Sequence, residues 1–339
     1  MDALHDIDDE ILKSPWGKLG RGATFGVVSG AGKLILNVLN TTTVTNHETL
    51  LSAVLKREPG KGLLTISNHT SMFDDPGLVS SMVPWAYFWT DGITHNGMRY
   101  AMCAADVCFR NAFLRQFFLT GKTLPVKRGE GVDQPVLNVT AGLLARGGWV
   151  HVFPEGRINV DGTLGPCKWG VGKLVCDARV RCGEDPLVLP FYHSGMGRVL
   201  PLQAKVPSVG HSVEVLVGQP MDLSSLTCNC GAAGVEQQQV WKDITAAMAG
   251  ALRQLERGAP PNPDQSLAWA EILKEREKVK LAKLEAQGLE GGGGGGAEGA
   301  AAAGAAVSNS RGSSSSGRSD SSEGGVRLDV TPCGTGMQT

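Results

Sequence analysis

The sequence lacks three features that would indicate common classes of protein. It has no excess of either charge, since 32 basic and 33 acidic residues give a net charge of -1, and no global field attracts nucleic acid. Its eight cysteines include no two CxxC pairs, so we expect buried thiols in a reducing setting and no metal site. The first ten residues are acidic, which argues against a secretory signal and an Arg-rich presequence.

A long uncharged apolar run is also missing. Residues 16–39 are apolar, but Lys18, Arg21 and Lys33 interrupt them, and the uncharged run at 22–32 covers about half of a bilayer. We predict that this segment lies in the membrane interface with its cations at headgroup level. The alternative is a soluble core helix, for which its six glycines are unfavourable. Glycine at every fourth position would allow another helix to approach closely: Gly22, Gly26 and Gly30.

Composition divides the chain into five parts. An acidic N-terminus covers residues 1–15, the apolar segment covers 16–40, and residues 41–260 have the pattern of a folded domain. Residues 261–287 form a predicted charged helix, and residues 288–339 are rich in Gly, Ala and Ser. Because that last segment has almost no large apolar residue to bury, we expect it to be disordered.

Predicted strands alternate with predicted helices within residues 41–260. This order is typical of an α/β fold with a mostly parallel central sheet flanked by helices. In such sheets ligands bind at the carboxyl ends of the strands. Polar motifs that directly follow a strand are therefore the candidates for a functional site.

The first such motif follows a buried strand predicted at residues 62–67. A histidine can take a proton from an alcohol when a carboxylate holds its other ring nitrogen, and we assign these roles to His69 and Asp74. A substrate hydroxyl would then replace an enzyme nucleophile. We predict that Asp75 and Pro76 begin the following helix, with Asp75 as its N-cap. The alternative is that the whole motif only satisfies this helix start, with His69 a surface turn residue.

Two other loops follow predicted strands and carry arginine. One contains Arg128, and the other contains Glu155, Gly156 and Arg157. A guanidinium is a planar, permanently charged fork suited to phosphate, and Gly156 offers an unhindered backbone amide. Glu155 either hydrogen-bonds loop amides or contacts a substrate. We expect the three loops to lie together. The remaining histidines have no acidic residue at a useful spacing, and we expect structural roles for them: His95, His151, His193 and His211.

These motifs resemble those of the glycerolipid acyltransferase family. Asn68-His69 through Asp74 is similar to the family's HX4D motif, and Phe153-Pro154-Glu155-Gly156 is similar to its FPEG block. The resemblance covers about residues 15–255. It is closest to the branch that remodels cardiolipin, which four blocks resemble in order and spacing: residues 68–76, 121–132, 148–159 and 189–196.

The resemblance implies a CoA-independent transacylase, without metal or cofactor, that moves acyl chains between phospholipids and lysophospholipids. Monolysocardiolipin and cardiolipin would be the favoured pair. It implies that His69 is the base, Asp74 its partner, and that Arg128 and residues 155–157 hold glycerophosphate. It also implies monotopic attachment to mitochondrial membranes, facing the intermembrane space. The segment near 16–39 and a basic helix predicted at residues 168–181 would provide this attachment. It leaves the oligomeric state open.

Two alternatives remain open at this point. An acyl-CoA-dependent lysophospholipid acyltransferase would share the same catalytic pair. A membrane-binding scaffold that has lost catalysis would not need His69 and Asp74, and their presence counts against it.

Overall fold

The computed structural model describes residues 14–89, 97–202 and 204–266, together with residues 274, 275, 278 and 279. The chain divides into two units, Met1–Ala270 and Glu271–Thr339. In the second unit the four described residues are helical, and Lys278 pairs with Glu275 at 3.6 Å. The Gly/Ala/Ser-rich tail, His95 and all but two residues of the predicted N-terminal part lie outside the described residues.

Helices and strands alternate along the first unit. The strands are β1 Thr41–Thr45, β2 Leu63–Ser67, β3 Tyr100–Ala104, β4 Thr123–Val126, β5 Trp149–Val152, β6 Leu187–Ser194 and β7 Ser212–Val217. The helices are α1 Gly17–Lys33, α2 His47–Leu55, α3 Val79–Met82, α4 Trp85–Trp89, α5 Ala105–Cys108, α6 Ala112–Thr120, α7 Pro135–Ala145, α8 Gly170–Cys182, α9 Met196–Val199, α10 Ser224–Thr227 and α11 Gln237–Gly258. π-helical turns cover Leu34–Leu39 and Asp74–Leu78, and a 3-10 turn covers Pro263–Gln265.

The strands form one seven-stranded sheet in the order β1-β7-β6-β2-β5-β3-β4. Every pairing is parallel except that of β6 with β7. The predicted α/β fold with a mostly parallel sheet is confirmed. β2 lies in the middle of the sheet between β6 and β5, so the carboxyl ends of these three strands meet at one edge.

Helices cover both faces of the sheet, and the side chains of β2 show the division. Leu64 and Ile66 pack into a core with α7, α8 and α11, whereas Leu63 packs into a second core with α1, α2 and α3. Successive side chains of a strand point to opposite faces, so an unbroken apolar strand is expected where both faces are buried. All five residues of β2 are buried, which makes it a rigid base for the loop that follows.

The apolar segment near residues 16–39 is helical and lies along the folded domain. Trp85 donates its indole N–H to the backbone of Gly26 at 3.1 Å, and an added Cβ at Gly26 would lie 2.2 Å from the Trp89 ring. Gly30 also faces Trp85, whereas Gly22 has no atom within 4 Å of such a Cβ. Two of the three spaced glycines therefore permit the predicted close packing.

The predicted basic helix at residues 168–181 is present as α8, and its apolar face packs against the protein. Except for the exposed Val180, its large apolar side chains are buried against α7 and α11. Two of its basic side chains pair with acids, Lys173 with Asp177 at 2.5 Å and Arg179 with Asp185 at 3.0 Å. An amphipathic pattern reveals only that one face is covered. In this structure the apolar face is covered by the neighbouring helices α7 and α11.

The prediction of buried thiols is wrong for the cysteines that form disulfides. Disulfides join Cys103 to Cys108 and Cys176 to Cys230, with Cα–Cα separations of 6.2 and 5.1 Å. Cys167 and Cys182 are free thiols. The second disulfide links positions 54 residues apart. Such a cross-link depends on tertiary proximity, which the spacing of cysteines in the sequence does not reveal.

Candidate active site

The predicted catalytic pair forms directly after β2. His69 lies in the turn that precedes the π-helical segment Asp74–Leu78, and its Nδ1 is 2.9 Å from Asp74 Oδ2. The same carboxylate oxygen accepts the backbone N–H groups of Thr70 at 2.7 Å and Ser71 at 2.9 Å. Because the carboxylate accepts from Nδ1, that nitrogen carries the ring proton and Nε2 keeps a free lone pair. His69 thus has the arrangement of a general base.

The ring of His69 is held in one plane and remains partly accessible. Phe153, at the carboxyl end of β5, stacks on it with ring centroids 3.9 Å apart and an angle of 8° between the planes. The side chain of His69 is 18% exposed, whereas that of Asp74 is completely buried. A substrate can therefore approach the imidazole while water has no access to the carboxylate.

The charge state of Asp74 suits its role. Burial alone would raise the pKa of this carboxyl, but nearby His193, the hydrogen bond from His69 and the backbone N–H of Ser71 lower it below the ordinary 3.8. Asp74 is therefore ionised at neutral pH. An ionised partner stabilises the imidazolium that forms when His69 takes a proton.

Glu155 ties the loop after β5 to the catalytic turn. Its Oε1 accepts the backbone N–H of His69 at 2.9 Å, and its Oε2 accepts that of Gly165 at 2.6 Å and the side-chain amide of Asn159. The backbone N–H of Asn159 in turn donates to the carbonyl of His69 at 2.8 Å. Glu155 is 2% exposed. Of the two interpretations left open for Glu155, the structure supports the one in which it binds loop amides.

The three arginine- and histidine-bearing loops are not equally close. The His69 and Glu155 loops follow adjacent strands, whereas Arg128 follows β4, three strands from β2 and so roughly 14 Å away at the usual strand spacing. The Arg128 side chain is 57% exposed and pairs with Asp106. It lies at the predicted edge of the sheet, but β3 and β5 separate it from β2.

Gly156 and Arg157 occupy the outer side of the Glu155 loop, and both are exposed. Gly156 has a positive φ of 63°, and an added Cβ there would lie 3.1 Å from the aliphatic stem of Lys168. A left-handed conformation favours glycine. Lys168 thus places a cation beside Gly156, which the sequence analysis does not predict. The sequence feature that could have indicated Lys168 is a basic residue directly before Trp169.

The prediction that Asp75 caps a helix is wrong. Phe73, not Asp75, precedes the helical turn, and Asp75 itself has extended backbone angles. Its carboxylate accepts from Arg99 Nε at 2.7 Å and also from Arg99 Nη2, and both side chains are buried. Arg99 belongs to the segment before β3, and only the packing of β3 against β5 brings it to this turn.

One of the four histidines expected to be structural contacts the catalytic carboxylate. His193, at the carboxyl end of β6, lies with Nε2 3.6 Å from Asp74 Oδ2. The expectation that it has no acidic partner is therefore wrong. His151 differs, because burial lowers its pKa to about 4 and it hydrogen-bonds to Thr65 at 3.0 Å. His211 makes its described hydrogen bonds through its backbone.

The fold and this site define an acyltransferase. The Acyltransferase family model matches residues 41–194. An N-acylphosphatidylethanolamine synthase from Arabidopsis thaliana is 33% identical over 61% of this chain and 72% of its own length. The chain belongs to the acyltransferase family.

Within that family the chain is similar to tafazzin. The tafazzin of Drosophila melanogaster is 38% identical over 235 residues, which cover 68% of this chain. The chain spans 59% of the length of that relative. The crystal structure of the 1-acyl-sn-glycerophosphate acyltransferase PlsC from Thermotoga maritima is similar with a TM-score of 0.45 and 14% identity, covering 70% of this chain and 82% of that one.

Proposed function

We propose that the protein is a CoA-independent transacylase that moves acyl chains from a phospholipid, such as phosphatidylcholine, to monolysocardiolipin and other lysophospholipids. The observation that carries this proposal is the orientation of His69, whose Nδ1 donates to Asp74 while Nε2 stays free. Such a base can activate a hydroxyl that the substrate brings.

The reaction exchanges one ester for another. His69 Nε2 takes the proton from the free hydroxyl of the lysophospholipid, and the hydroxyl oxygen bonds to the ester carbonyl carbon of the donor phospholipid. The old C–O bond then breaks, and the departing glycerol oxygen recovers the proton from His69. Asp74 stays ionised throughout and stabilises the transient imidazolium. The products are a new phospholipid and a new lysophospholipid.

An acyl-enzyme intermediate on a neighbouring side chain is less consistent with the site. Burial raises the pKa of the Cys167 thiol to about 11, with a further contribution from Glu155, so little thiolate forms at neutral pH. The hydroxyl of Ser71 donates to the carbonyl of Leu200 at 2.7 Å. Direct transfer between the two lipids needs neither group as a nucleophile.

Transfer assays with purified protein test the proposal. Labelled phosphatidylcholine and monolysocardiolipin are incubated without CoA, and the lipids are identified by mass spectrometry. We expect labelled cardiolipin and lysophosphatidylcholine in equal amounts. Transfer only from acyl-CoA would instead indicate a CoA-dependent acyltransferase. Phosphatidylethanolamine serves as a further acceptor, because one relative is named for an N-acylated product.

The exposed cations beside the catalytic turn support recognition of a lipid phosphate. Arg157 and Lys168 lie on the loop and segment that Glu155 and Gly156 position, and Arg128 offers a third cation at the same edge of the sheet. Arg–phosphate contacts are charge-assisted and bidentate. Phosphate is common to all phospholipids, so we propose that these side chains recognise the phosphate and not the headgroup.

Reversing the charge at Arg157 tests this assignment. We expect Arg157→Glu to raise the KM for the lysolipid by about tenfold or more, because a repulsive carboxylate replaces a cation worth roughly 1.5–3 kcal/mol. Arg157→Lys keeps the charge and serves as the control, with a mild effect. Rates are measured with lysophosphatidylcholine and with monolysocardiolipin. Loss with one acceptor alone would mean that Arg157 recognises the headgroup.

We further propose that the protein binds the membrane surface through an apolar surface around α1, which we call the membrane face. Its exposed side chains are Leu19, Val27, Leu34, Val38, Leu39, Val206 and Val209. The backbone N–H of Gly210 donates to the carbonyl of Leu39 at 2.9 Å, so the loop with Val206 and Val209 continues the surface. By length and composition the helical segment Gly17–Leu39 could also cross a membrane. Its packing along the domain favours attachment from one side.

Acidic substitutions test the membrane face. Val27 and Val38 are 70% and 71% exposed, and we expect Val27→Glu combined with Val38→Glu to lower binding to cardiolipin-containing vesicles by about tenfold or more, since each buried valine contributes roughly 1.5–3 kcal/mol. Val180→Glu is the matched control, because Val180 is 59% exposed on α8. Binding is measured by vesicle flotation. Equal losses in both proteins would contradict the assignment.

The proposed location is a mitochondrial membrane, with the catalytic domain facing the intermembrane space. Two disulfides support an oxidising side of the membrane, since disulfides are rare in compartments that keep thiols reduced. Protease accessibility in intact and ruptured mitochondria tests the orientation.

A further inference from the structure

His193 is buried behind the catalytic pair. It is 0% exposed, and its Nε2 lies 2.8 Å from the backbone carbonyl of Asn68 and 3.6 Å from Asp74 Oδ2. Because a carbonyl oxygen only accepts, Nε2 must carry a ring proton. The N–H of His193 therefore points at the residue before His69 and presents its positive end near Asp74.

Asn68 and His193 are joined by two further hydrogen bonds. The side-chain amide of Asn68 donates to the carbonyl of His193 at 2.8 Å, and the backbone N–H of His193 donates to Asn68 Oδ1 at 2.9 Å. Asn68 is 1% exposed. These bonds join the carboxyl ends of β2 and β6, so the backbone entering the catalytic turn is fixed on this side as Glu155 fixes it on the other.

The carboxylate of Asp74 also lies near the His193 ring. Its Oδ2 accepts three N–H groups, from His69, Thr70 and Ser71. The 3.6 Å separation from His193 is too long for a hydrogen bond, but a partial positive charge at that distance stabilises an anion in a dry site. The ring of His193 thus acts on both parts of the pair, on His69 through Asn68 and on Asp74 directly.

We propose that His193 is a positioning residue for acyl transfer, which keeps His69 and Asp74 in their productive arrangement by donating Nε2–H to Asn68 and by facing Asp74. This inference rests on the proposed transacylase activity. His193 is fully buried and does not touch substrate. We therefore expect His193 to affect kcat and not lipid binding. Misplacing a catalytic group by about 1 Å can lower a rate by about 10².

Two amide variants separate this role from simple packing. The amide nitrogen of His193→Gln lies near the position of Nε2, whereas that of His193→Asn lies near Nδ1 and is too short to reach the Asn68 carbonyl. We expect His193→Asn to lower kcat by about 10–100-fold with unchanged KM for both lipids, and His193→Gln to recover most of the loss. Equal losses in both variants, matched by equal decreases in Tm, would overturn the proposal.

A double-mutant comparison links the effect to the catalytic base. In a His69→Ala background, His193→Asn should cause no further loss of the residual rate, since residues that act as one unit are not additive. A full additional loss there would overturn the positioning role. If His69→Ala itself keeps the wild-type rate, the proposed function fails instead, so the two failures are distinguishable.

The wild-type protein provides a test that does not depend on the folding of a variant. Nitrogen chemical shifts of histidine rings in the full chain report which nitrogen carries the proton. We expect His193 to carry a proton at Nε2. A ring protonated at Nδ1 alone could not donate to Asn68 and would overturn the proposal.

Discussion

Transacylation by His69→Ala or Asp74→Asn is expected to fall by about 10²–10⁴, the usual contribution of general acid–base catalysis. Without the imidazole, nothing in the turn can take the proton of the acceptor hydroxyl. With Asn at position 74, the hydrogen bonds from Thr70 and Ser71 can persist, but the charge that stabilises the imidazolium is lost. Initial rates with labelled phosphatidylcholine and monolysocardiolipin measure the effect.

His211→Ala is the matched control for this experiment, because His211 makes its described hydrogen bonds through its backbone. Vesicle binding of all variants should match that of the wild type. A wild-type rate in either His69→Ala or Asp74→Asn would contradict the proposed general-base mechanism.

Asp74 also makes the stability of the domain depend on pH. Its pKa is lowered in the folded state, so its contribution to the free energy of unfolding is fully present above the ordinary value of 3.8. That contribution is lost as the pH falls through the lowered pKa. Asp74→Asn should therefore flatten the acid side of the stability curve.

The second large effect is expected from Glu155→Ala, which should destabilise the domain by about 2–4 kcal/mol and abolish most activity. The change removes a charged acceptor from the backbone N–H groups of His69 and Gly165, where each hydrogen bond is worth roughly 1.5–3 kcal/mol. Burial raises the pKa of this carboxyl, so its desolvation offsets part of that gain. Urea unfolding and transfer rates measure both losses.

Asp161→Ala is the control for this second experiment. Asp161 is an exposed acid in the same loop region, and its hydrogen bonds to Thr163 are local. We expect it to change stability by less than about 1 kcal/mol. Similar losses for Asp161→Ala and Glu155→Ala would mean that the loop, and not the carboxylate bridge, determines stability.

Most of the sheet follows from the sequence because its strands are buried on both faces and read as continuous apolar runs. The sequence predicts strands at residues 62–67, 123–128, 149–153, 186–192 and 213–217, which lie close to the observed β2, β4, β5, β6 and β7. β1 and β3 were not identified. β1 consists of Thr41–Thr45, four threonines and one valine, and β3 is a partly buried Tyr100–Ala104 with no clear alternation. Their pairing with β7 and with β4 and β5 is what makes them strands.

The candidate site likewise has one part that the sequence reveals and another part that depends on the order of the strands. His69 and Asp74 are five residues apart, so a single turn brings them together and the sequence reveals them as a pair. Glu155 was recognised as a candidate, but its partners on the catalytic turn depend on the adjacency of β2 and β5. His193 was assigned a structural role because Asp74 lies more than a hundred residues before it in the chain.

By itself, then, the sequence determined the α/β class, the pairing of His69 with Asp74 and the apolar character of the N-terminal segment, because each depends on residues that are near one another in the chain. Only the tertiary structure decided which strands flank β2. That order places Glu155 on one side of the catalytic turn and His193 on the other, and moves Arg128 three strands away. The physical reason is that backbone hydrogen bonds between strands specify no partner. The packing of side chains from the whole domain selects the order.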